Sequence, residues 1–277
     1  MVYYCIIYII CSMKRIISAS YKDDTPAFQS EEFFEALQRG YADVNGKFGI
    51  QRISLRPENV YCIVFWTKNP SDHFLANMGK IQSPFYFQWT ISGYGNEIEP
   101  HVPDKAEVVK RFKSLAERIG RRRVVWRYDP IFISDEYSIE AHKEAFRNLC
   151  AMLYGYTERC VISFMDEYGK LKPLVDAGVM RAPTDAEVHE LSRFIGETAP
   201  QYGIKVQTCS EGKYDLSAYG INEAPCIDAV FIEREFGVEL PASVKTPNSF
   251  RRCLCAVNTD IGQYHRCQHG CAYCYAK

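Results

Sequence analysis

Three cysteines near the end of the chain are spaced in a way that predicts a metal centre. Cys267, Cys271 and Cys274 form a C-x3-C-x2-C triplet, a spacing that holds three irons of a 4Fe-4S cube. Three thiolates leave the fourth iron without a protein ligand, and an open coordination position is typical of reactive metal sites. The triplet therefore predicts redox chemistry. Zinc is the alternative, because the triplet with His265 or His269 could form a closed tetrahedral site.

Four further cysteines, at irregular spacing, could form a second centre. Cys209 ends a predicted strand, Cys226 lies in a polar loop, and Cys253 and Cys255 precede the triplet. Four thiolates could hold a complete second 4Fe-4S cluster or a zinc ion. Other cysteines lie within apolar patterns and are expected to be small buried hydrophobic side chains: Cys62, Cys150 and Cys160.

Composition indicates one large domain in a reducing compartment. The 277 residues are 47% hydrophobic, enough for one barrel-sized core. The net charge of -1 gives no overall attraction to nucleic acid or to an anionic membrane, although a local basic groove for nucleic acid stays open. Because the 12 cysteines are concentrated toward the end of a large chain, thiolate ligation in the cytoplasm is favoured over disulfides.

The first 12 residues, MVYYCIIYIICS, are apolar but too short to span a bilayer. They also lack the basic leading region and the small-residue cleavage site of a secretory signal. We interpret residues 1–12 as an N-terminal extension, with Met13 as a candidate native start. No association with a membrane is expected.

From Met13 onward, short apolar runs alternate with amphipathic stretches of helical period. This pattern predicts an α/β fold, a (β/α) TIM-like or partial barrel with about six to eight parallel strands. The barrel domain is expected over residues 13–240, and a cysteine-rich tail over 241–277 is expected to pack on its mouth. Strands are predicted near 14–19, 60–66, 84–90, 123–128, 160–165 and 204–208. Helices are predicted near 30–39, 71–79, 104–119, 138–153 and 185–201, with a hairpin over 44–54.

Polar residues follow the predicted strands, at the end of a parallel barrel where catalytic groups lie. The candidates for orienting a cofactor or substrate are Lys68, Arg127, Asp129 and Glu211. The candidates for contacting a cofactor are Asp23, Thr67, Asn69, Thr90 and Tyr273. Tyr273 could also shield a cluster from water.

Each candidate also has a structural interpretation. Arg127 and Asp129 are two residues apart, so both point to one face of a strand and could anchor a carboxylate or phosphate, or form an ion pair. Lys68 could be a solvated residue of a loop that enters a helix. Asp23 could stabilise a loop, or could contact a metal or a ribose.

Several segments resemble a widespread microbial family described only as a domain of unknown function. They are VFWTKNP at 64–70, WRYDP at 126–130, the segment 17–28, and the ending from Cys267 to Ala276. The ending is also similar to the cluster loop of radical S-adenosylmethionine enzymes, especially the spore photoproduct lyase-like branch. In those enzymes the triplet follows the first strand of a partial barrel, whereas here it follows every predicted strand. Their methionine-binding Gly-Gly-Glu run has no counterpart.

The resemblance implies that the open iron binds the amino and carboxylate groups of S-adenosylmethionine. Reductive cleavage would then give a 5′-deoxyadenosyl radical that abstracts hydrogen from a small-molecule or unknown substrate, with an electron donor such as ferredoxin or flavodoxin. Two alternatives remain. One is a barrel hydrolase or nucleic-acid repair enzyme that uses Asp23, Asp129 and Asp166 and has a zinc or iron-sulfur tail as a brace. The other is a non-catalytic iron-sulfur protein that transfers electrons or senses oxidants.

Overall fold

The computed structural model describes residues 14–19, 21–46, 49–166, 169–209, 211–245, 253–274 and 276. The predicted extension at 1–12 and the candidate start at Met13 lie outside these residues. In chain order the strands are β1 (Arg15–Ala19), β2 (Tyr41–Gly46), β3 (Gly49–Ser54), β4 (Val60–Thr67), β5 (Phe85–Thr90), β6 (Val124–Ile131), β7 (Arg159–Phe164), β8 (Lys205–Thr208), β9 (Asn222–Glu223) and β10 (Asn258–Asp260).

The helices alternate with most of these strands. They are α1 (Thr25–Phe28), α2 (Ser30–Arg39), α3 (Asp72–Asn77), α4 (Lys105–Ile119), α5 (Ile139–Leu153), α6 (Lys172–Asp176), α7 (Asp185–Thr198), α8 (Ala229–Phe236) and α9 (Ala242–Lys245). Capping side chains fix where several begin: Asp104 accepts from the backbone N–H of Ala106, and Thr184 forms a capping box with Glu187 at α7. No described helix is long and apolar enough to cross a bilayer.

Eight strands form one parallel sheet, which confirms the predicted α/β class. Their order is β10-β1-β4-β5-β6-β7-β8-β9, so strands that follow one another in the chain are mostly neighbours. Each neighbouring pair is parallel. The arrangement is consistent with a partial TIM-like barrel or a Rossmann-type sheet. The strands β2 and β3 form the predicted antiparallel hairpin outside this sheet.

Both faces of the sheet are buried, as expected for a parallel sheet. Because side chains alternate along a strand, Phe65 and Trp89 face the helices, whereas Val64 and Tyr86 face the other side. Helices α2, α3, α4, α5 and α7 supply the first layer, through residues such as Phe33, Phe74, Phe112, Phe146 and Leu191. The second face is covered by the chain between β9 and β10, through Ile227, Ile232, Leu240 and Ala256.

The tail contributes β10, a strand that the sequence did not predict. It pairs with β1 in register Ile16 to Asn258, Ile17 to Thr259 and Ser18 to Asp260. The Ser18 hydroxyl donates to Asp260 Oδ2 over 2.8 Å, and the Ile261 N–H donates to the Ser18 carbonyl over 2.9 Å. The cysteine triplet therefore follows an edge strand that lies beside β1.

Candidate functional site

A cavity of about 360 Å³ opens at the carboxyl ends of the strands. Its volume falls within the usual range for small-molecule sites. Predicted site residues that line it are Asp23, Thr67, Lys68, Thr90, Arg127, Asp129, Cys209, Glu211, Cys267, Cys271, Tyr273 and Cys274. Predicted site residues that do not line it are Asn69, Cys226, Cys253 and Cys255. The backbone N–H of Asn69 donates to Thr67 Oγ1 over 3.1 Å, so this residue shapes the loop after β4.

All three cysteines of the triplet line the cavity. Cys271 is buried, while Cys267 and Cys274 are partly exposed. Burial raises the pKa of the Cys267 thiol to about 12, with Asp24 and the other two cysteines adding to the effect. Among the described side chains, the three sulfurs do not all lie within 4.8 Å of one another. At least two of the triplet sulfurs are therefore more than 4.8 Å apart.

The loop that carries the triplet is tied to the segment after β5. The Ala272 N–H donates to the Ile98 carbonyl over 2.9 Å, and the His101 N–H donates to the His269 carbonyl over 3.2 Å. Gly270 lies between these contacts with a φ of +75°, and a Cβ built there would lie 2.9 Å from Pro100 Cγ. A residue with a side chain is disfavoured both by this conformation and by the close approach.

Replacing Gly270 by alanine is expected to lower the free energy of unfolding by about 1–3 kcal/mol, because alanine strains the left-handed conformation and displaces Pro100. Denaturant unfolding of the metal-free protein measures this change. Gly79→Ala is the matched control, because a Cβ at Gly79 meets nothing within 4 Å. An equal midpoint for both variants would contradict a tightly fitted loop.

His269 and Asp24 connect the triplet loop to the segment between β1 and α1. His269 Nε2 lies 2.8 Å from Asp24 Oδ2, and both side chains are buried. Asp24 also accepts from the backbone N–H groups of Ala27 and Lys68. Within the described part of the chain, neither His265 nor His269 forms a metal-sized group with the triplet. The histidine therefore orients the loop.

A buried charge network stands beside Cys271. The Lys68 ammonium donates to Glu99 Oε1 and to the Tyr273 hydroxyl, both over 2.7 Å, and the Tyr273 hydroxyl donates to Glu99. Lys105 and Ser92 also donate to Glu99, each over 2.8 Å. Burial opposes the charged form of Glu99, but Lys68 and Lys105 outweigh it and hold its pKa well below its usual range. The interpretation of Lys68 as a solvated loop residue is therefore wrong.

Arg127 joins the cavity to the interior of the sheet. Its guanidinium forms an ion pair with Asp129, and Nη1 donates to Gln88 Oε1 over 3.4 Å and to Cys226 Sγ over 3.0 Å. Although burial disfavours its charge, the Asp129 carboxylate and the nearby cysteines raise the pKa of Arg127. The structure thus shows the ion pair, and both residues line the cavity.

Glu211 is a half-buried residue whose carboxyl group also lines the cavity. It accepts from the Phe164 N–H over 2.9 Å. Burial raises the pKa of Glu211 to about 7, and the nearby Asp166 and Asp129 add to this shift. A carboxyl group that exchanges its proton near neutral pH is a candidate for proton transfer.

Of the four other cysteines, Cys209 lines the cavity, whereas Cys226, Cys253 and Cys255 do not. The sulfur atoms of Cys209, Cys226 and Cys255 lie within 4.8 Å of one another and could hold a metal ion. Cys253 is a hydrogen-bond neighbour of Cys209 and Cys255. These four residues, hereafter the four-cysteine group, come from the loops after β8 and β9 and from the segment before β10. The sequence suggested this group, but its spacing alone did not show that the four side chains meet.

A larger cavity, of about 980 Å³, opens at the amino ends of the strands. Its charged residues largely pair with one another: Arg121 contacts Glu158 over 2.7 Å, and Arg122 contacts Glu235 over 3.1 Å. Nucleophilic cysteines are absent from the described residues that line it. Its size alone does not make it the reactive site.

The residue that sequence reasoning missed is Glu99. It stands in an irregular segment, where an isolated acidic residue is usually solvated, and it is 1% exposed. The sequence offered one indication of its role. Lys68 and Lys105 follow neighbouring strands, and buried lysines need an acidic partner. Asp24 also lines the cavity and was not among the predicted site residues.

Comparison with known proteins gives a family and no function. No curated protein matches the chain. The family model described as "Domain of unknown function (DUF1848)" matches residues 16–276, which is nearly the whole chain. The protein therefore belongs to the family of the domain of unknown function DUF1848.

Proposed function

We propose that this protein is a redox enzyme of the radical S-adenosylmethionine type, with a 4Fe-4S cluster held by Cys267, Cys271 and Cys274. The observation that carries the proposal is that all three cysteines line one cavity together with Lys68, Arg127 and other charged residues. A cluster bound there would have its open iron directed at a space of small-molecule size. A metal site that only stabilises the fold would not need an adjoining cavity.

The position of the triplet in the sheet supports the same proposal. In radical enzymes the cluster loop follows the first strand of the barrel, and here it follows β10, which is last in the chain. However, β10 occupies the edge of the sheet beside β1, in parallel orientation. In spatial order it is therefore the first strand, and the triplet follows it. A circularly permuted order of strands accounts for the placement of the motif at the end of the sequence.

The donor set also suits an iron-sulfur cluster. The triplet offers three thiols to the cavity, and thiolates are the ligands of such clusters. In a four-iron cube each thiolate binds a different iron, so the sulfurs lie at roughly 6 Å from one another. This spacing agrees with triplet sulfurs that are not all within 4.8 Å.

When bound, such a cluster supplies the electron that cleaves S-adenosylmethionine reductively. The residues of the chain would bind and orient the cofactor and the substrate, and would shield the cluster from water. Arg127 and Asp129 offer a donor fork and a carboxylate on one wall of the cavity, where they would orient polar groups of the substrate. Thr67, Thr90 and Asp23 offer further hydroxyl and carboxylate groups to a ribose. Tyr273, fixed by Lys68 and Glu99, shields the Cys271 side from water.

The hydrolase alternative is less well supported. Asp129 is paired with Arg127, and Asp23 accepts from Thr25 Oγ1 and from the Gln263 N–H. Among the described side chains, Asp23, Asp129 and Asp166 do not form a metal-sized group. The carboxylates therefore lack the convergence that metal-assisted hydrolysis requires. A small-molecule substrate and a ferredoxin or flavodoxin donor complete the proposal.

The test is cleavage of the cofactor by the full chain after anaerobic reconstitution with iron and sulfide. With dithionite as reductant, we expect release of methionine and 5′-deoxyadenosine, together with broad absorbance near about 400 nm that bleaches on reduction. The Cys150→Ala variant, altered in a helix away from the cavity, should behave as the wild type. A protein that binds no iron, or that binds a cluster but never releases methionine, would overturn the proposal.

A further inference from the structure

The four-cysteine group does not take part in the proposed reaction, and its geometry points to a different metal. Its members are Cys209, Cys226, Cys253 and Cys255, and three of their sulfurs lie within 4.8 Å of one another. A single tetrahedral ion with metal–sulfur bonds of about 2.3 Å brings its sulfurs to about 3.8 Å from one another. A four-iron cube requires roughly 6 Å. The observed sulfurs are too close for a cube and suit one ion.

Two of the sulfurs accept hydrogen bonds of the kind that metal-bound thiolates accept. Arg127 Nη1 donates to Cys226 Sγ over 3.0 Å, and the backbone N–H of Ile227 donates to Cys255 Sγ over 3.3 Å. Donors directed at sulfur stabilise negative charge and orient metal-bound cysteines.

The backbone around Cys226 is also built rigidly. The Tyr86 hydroxyl and the Gln88 side-chain amide both donate to the Cys226 carbonyl, over 2.7 and 2.8 Å. Gln88 contacts Arg127 as well, so strands β5 and β6 together position this cysteine. Fixed, buried ligands are typical of structural metal sites.

We propose that the four-cysteine group binds one zinc ion, as a closed structural site distinct from the cluster at the triplet. The ion would join three segments of the chain: the loop after β8, the loop after β9 and the segment that leads into β10. Because β10 precedes the triplet, the ion would fix the start of the cluster loop. The zinc site would also hold Arg127 in place, since Cys226 accepts from it.

The test separates this site from the proposed cluster by using the full chain with Cys271→Ser. This variant removes a triplet ligand and leaves the four-cysteine group intact. After anaerobic purification, zinc, iron and acid-labile sulfide are measured per chain. We expect one zinc per chain with neither iron nor sulfide. Iron with sulfide, iron alone, or no metal would each overturn the proposal. Because the triplet is disabled, failure of the proposed redox function leaves this result unaffected.

A second measurement does not depend on folding of a variant. Titration of the native chain with a mercurial reagent, which captures thiols, should release one zinc per chain to a colorimetric chelator. Replacing zinc by cobalt should give absorbance bands at about 600–750 nm, which indicate tetrahedral thiolate ligation. Cys226→Ser should lose these bands, whereas Cys150→Ala should keep them. Octahedral cobalt spectra, or release of no zinc, would contradict the assignment.

Discussion

Replacing Cys271 by serine is expected to abolish iron binding at the triplet. The remaining two thiolates, Cys267 and Cys274, would leave two irons of a four-iron cluster without protein ligands. Absorbance near about 400 nm and release of methionine should both fall by at least about tenfold relative to wild type. Iron and sulfide analysis after anaerobic reconstitution, with ultraviolet–visible spectra, measures the loss.

The control for this variant is Cys150→Ala, which removes a buried thiol of α5 outside both cysteine sites. It should bind iron as the wild type does. Circular dichroism and thermal unfolding are used to check that Cys271→Ser folds. Loss of iron in a folded variant then cannot be attributed to loss of structure. Full iron binding and cofactor cleavage in folded Cys271→Ser would rule out the triplet as the cluster site.

Replacing Glu99 by glutamine is expected to lower the free energy of unfolding by about 3–5 kcal/mol. This is the second large effect that we expect. Glu99 is the acceptor for Lys68, Lys105, Ser92 and Tyr273. A neutral side chain there would leave the buried Lys68 ammonium without its negative partner. For a chain of this length the midpoint of thermal unfolding should fall by roughly 10 °C.

The pH dependence of this effect has a definite sign. The folded pKa of Glu99 is lowered from 4.5, so its charged form contributes stability at neutral pH. That contribution begins to decrease as the pH falls below the unfolded value of 4.5 and is lost as the pH falls through the depressed folded pKa. The difference in stability between the wild type and Glu99→Gln should therefore shrink on acidification below pH 4.5.

Glu107→Gln provides the matched control, because Glu107 pairs with Lys110 at 3.9 Å on the exposed face of α4. An exposed pair of this kind contributes within about 0.5 kcal/mol. Denaturant unfolding of both variants at neutral and acidic pH measures the contrast. Equal, small losses for the two variants would show that the network around Glu99 does not stabilise the cavity wall.

Much of the fold could be predicted because its strands carry strong local signals. The six predicted strands correspond to β1, β4, β5, β6, β7 and β8, and the five predicted helices correspond to α2, α3, α4, α5 and α7. Continuous apolar runs mark parallel strands buried on both faces, and Asp104 and Thr184 mark helix starts through their capping bonds.

The strand β10 could not be predicted, since Asn-Thr-Asp has neither apolar alternation nor length. It forms because tertiary contacts hold it: Asp260 accepts from Ser18 and from the Tyr21 N–H, and Ile261 donates to Ser18. Partners of β10 are more than 230 residues distant in the chain. A single sequence gives no signal for pairing over that distance.

The sequence indicated which residues would lie at the candidate site better than it indicated which of their side chains contact one another. Polar residues after strands were expected at one mouth, and most of them line the cavity. The burial of Lys68 against Glu99, and the bond from Arg127 to Cys226, depend on how separate loops pack. Such contacts combine residues with no sequence relationship, so only the three-dimensional structure reveals them.

The alternative of a non-catalytic iron-sulfur protein differs from the proposal in one respect. A cluster that only transfers electrons is saturated by protein ligands, whereas a four-iron cluster held by the triplet would have one open iron. The cavity beside the triplet favours the open form, because a saturated cluster would need no adjoining space for a cofactor. An open iron is therefore the central claim.

Electron paramagnetic resonance of the reduced cluster tests that claim most directly. The full chain, reconstituted anaerobically and reduced with dithionite, is measured with and without S-adenosylmethionine. Binding of the cofactor to an open iron is expected to change the shape and position of the signal, and Cys271→Ser should give no such signal. A four-iron signal that S-adenosylmethionine leaves unchanged would contradict the account.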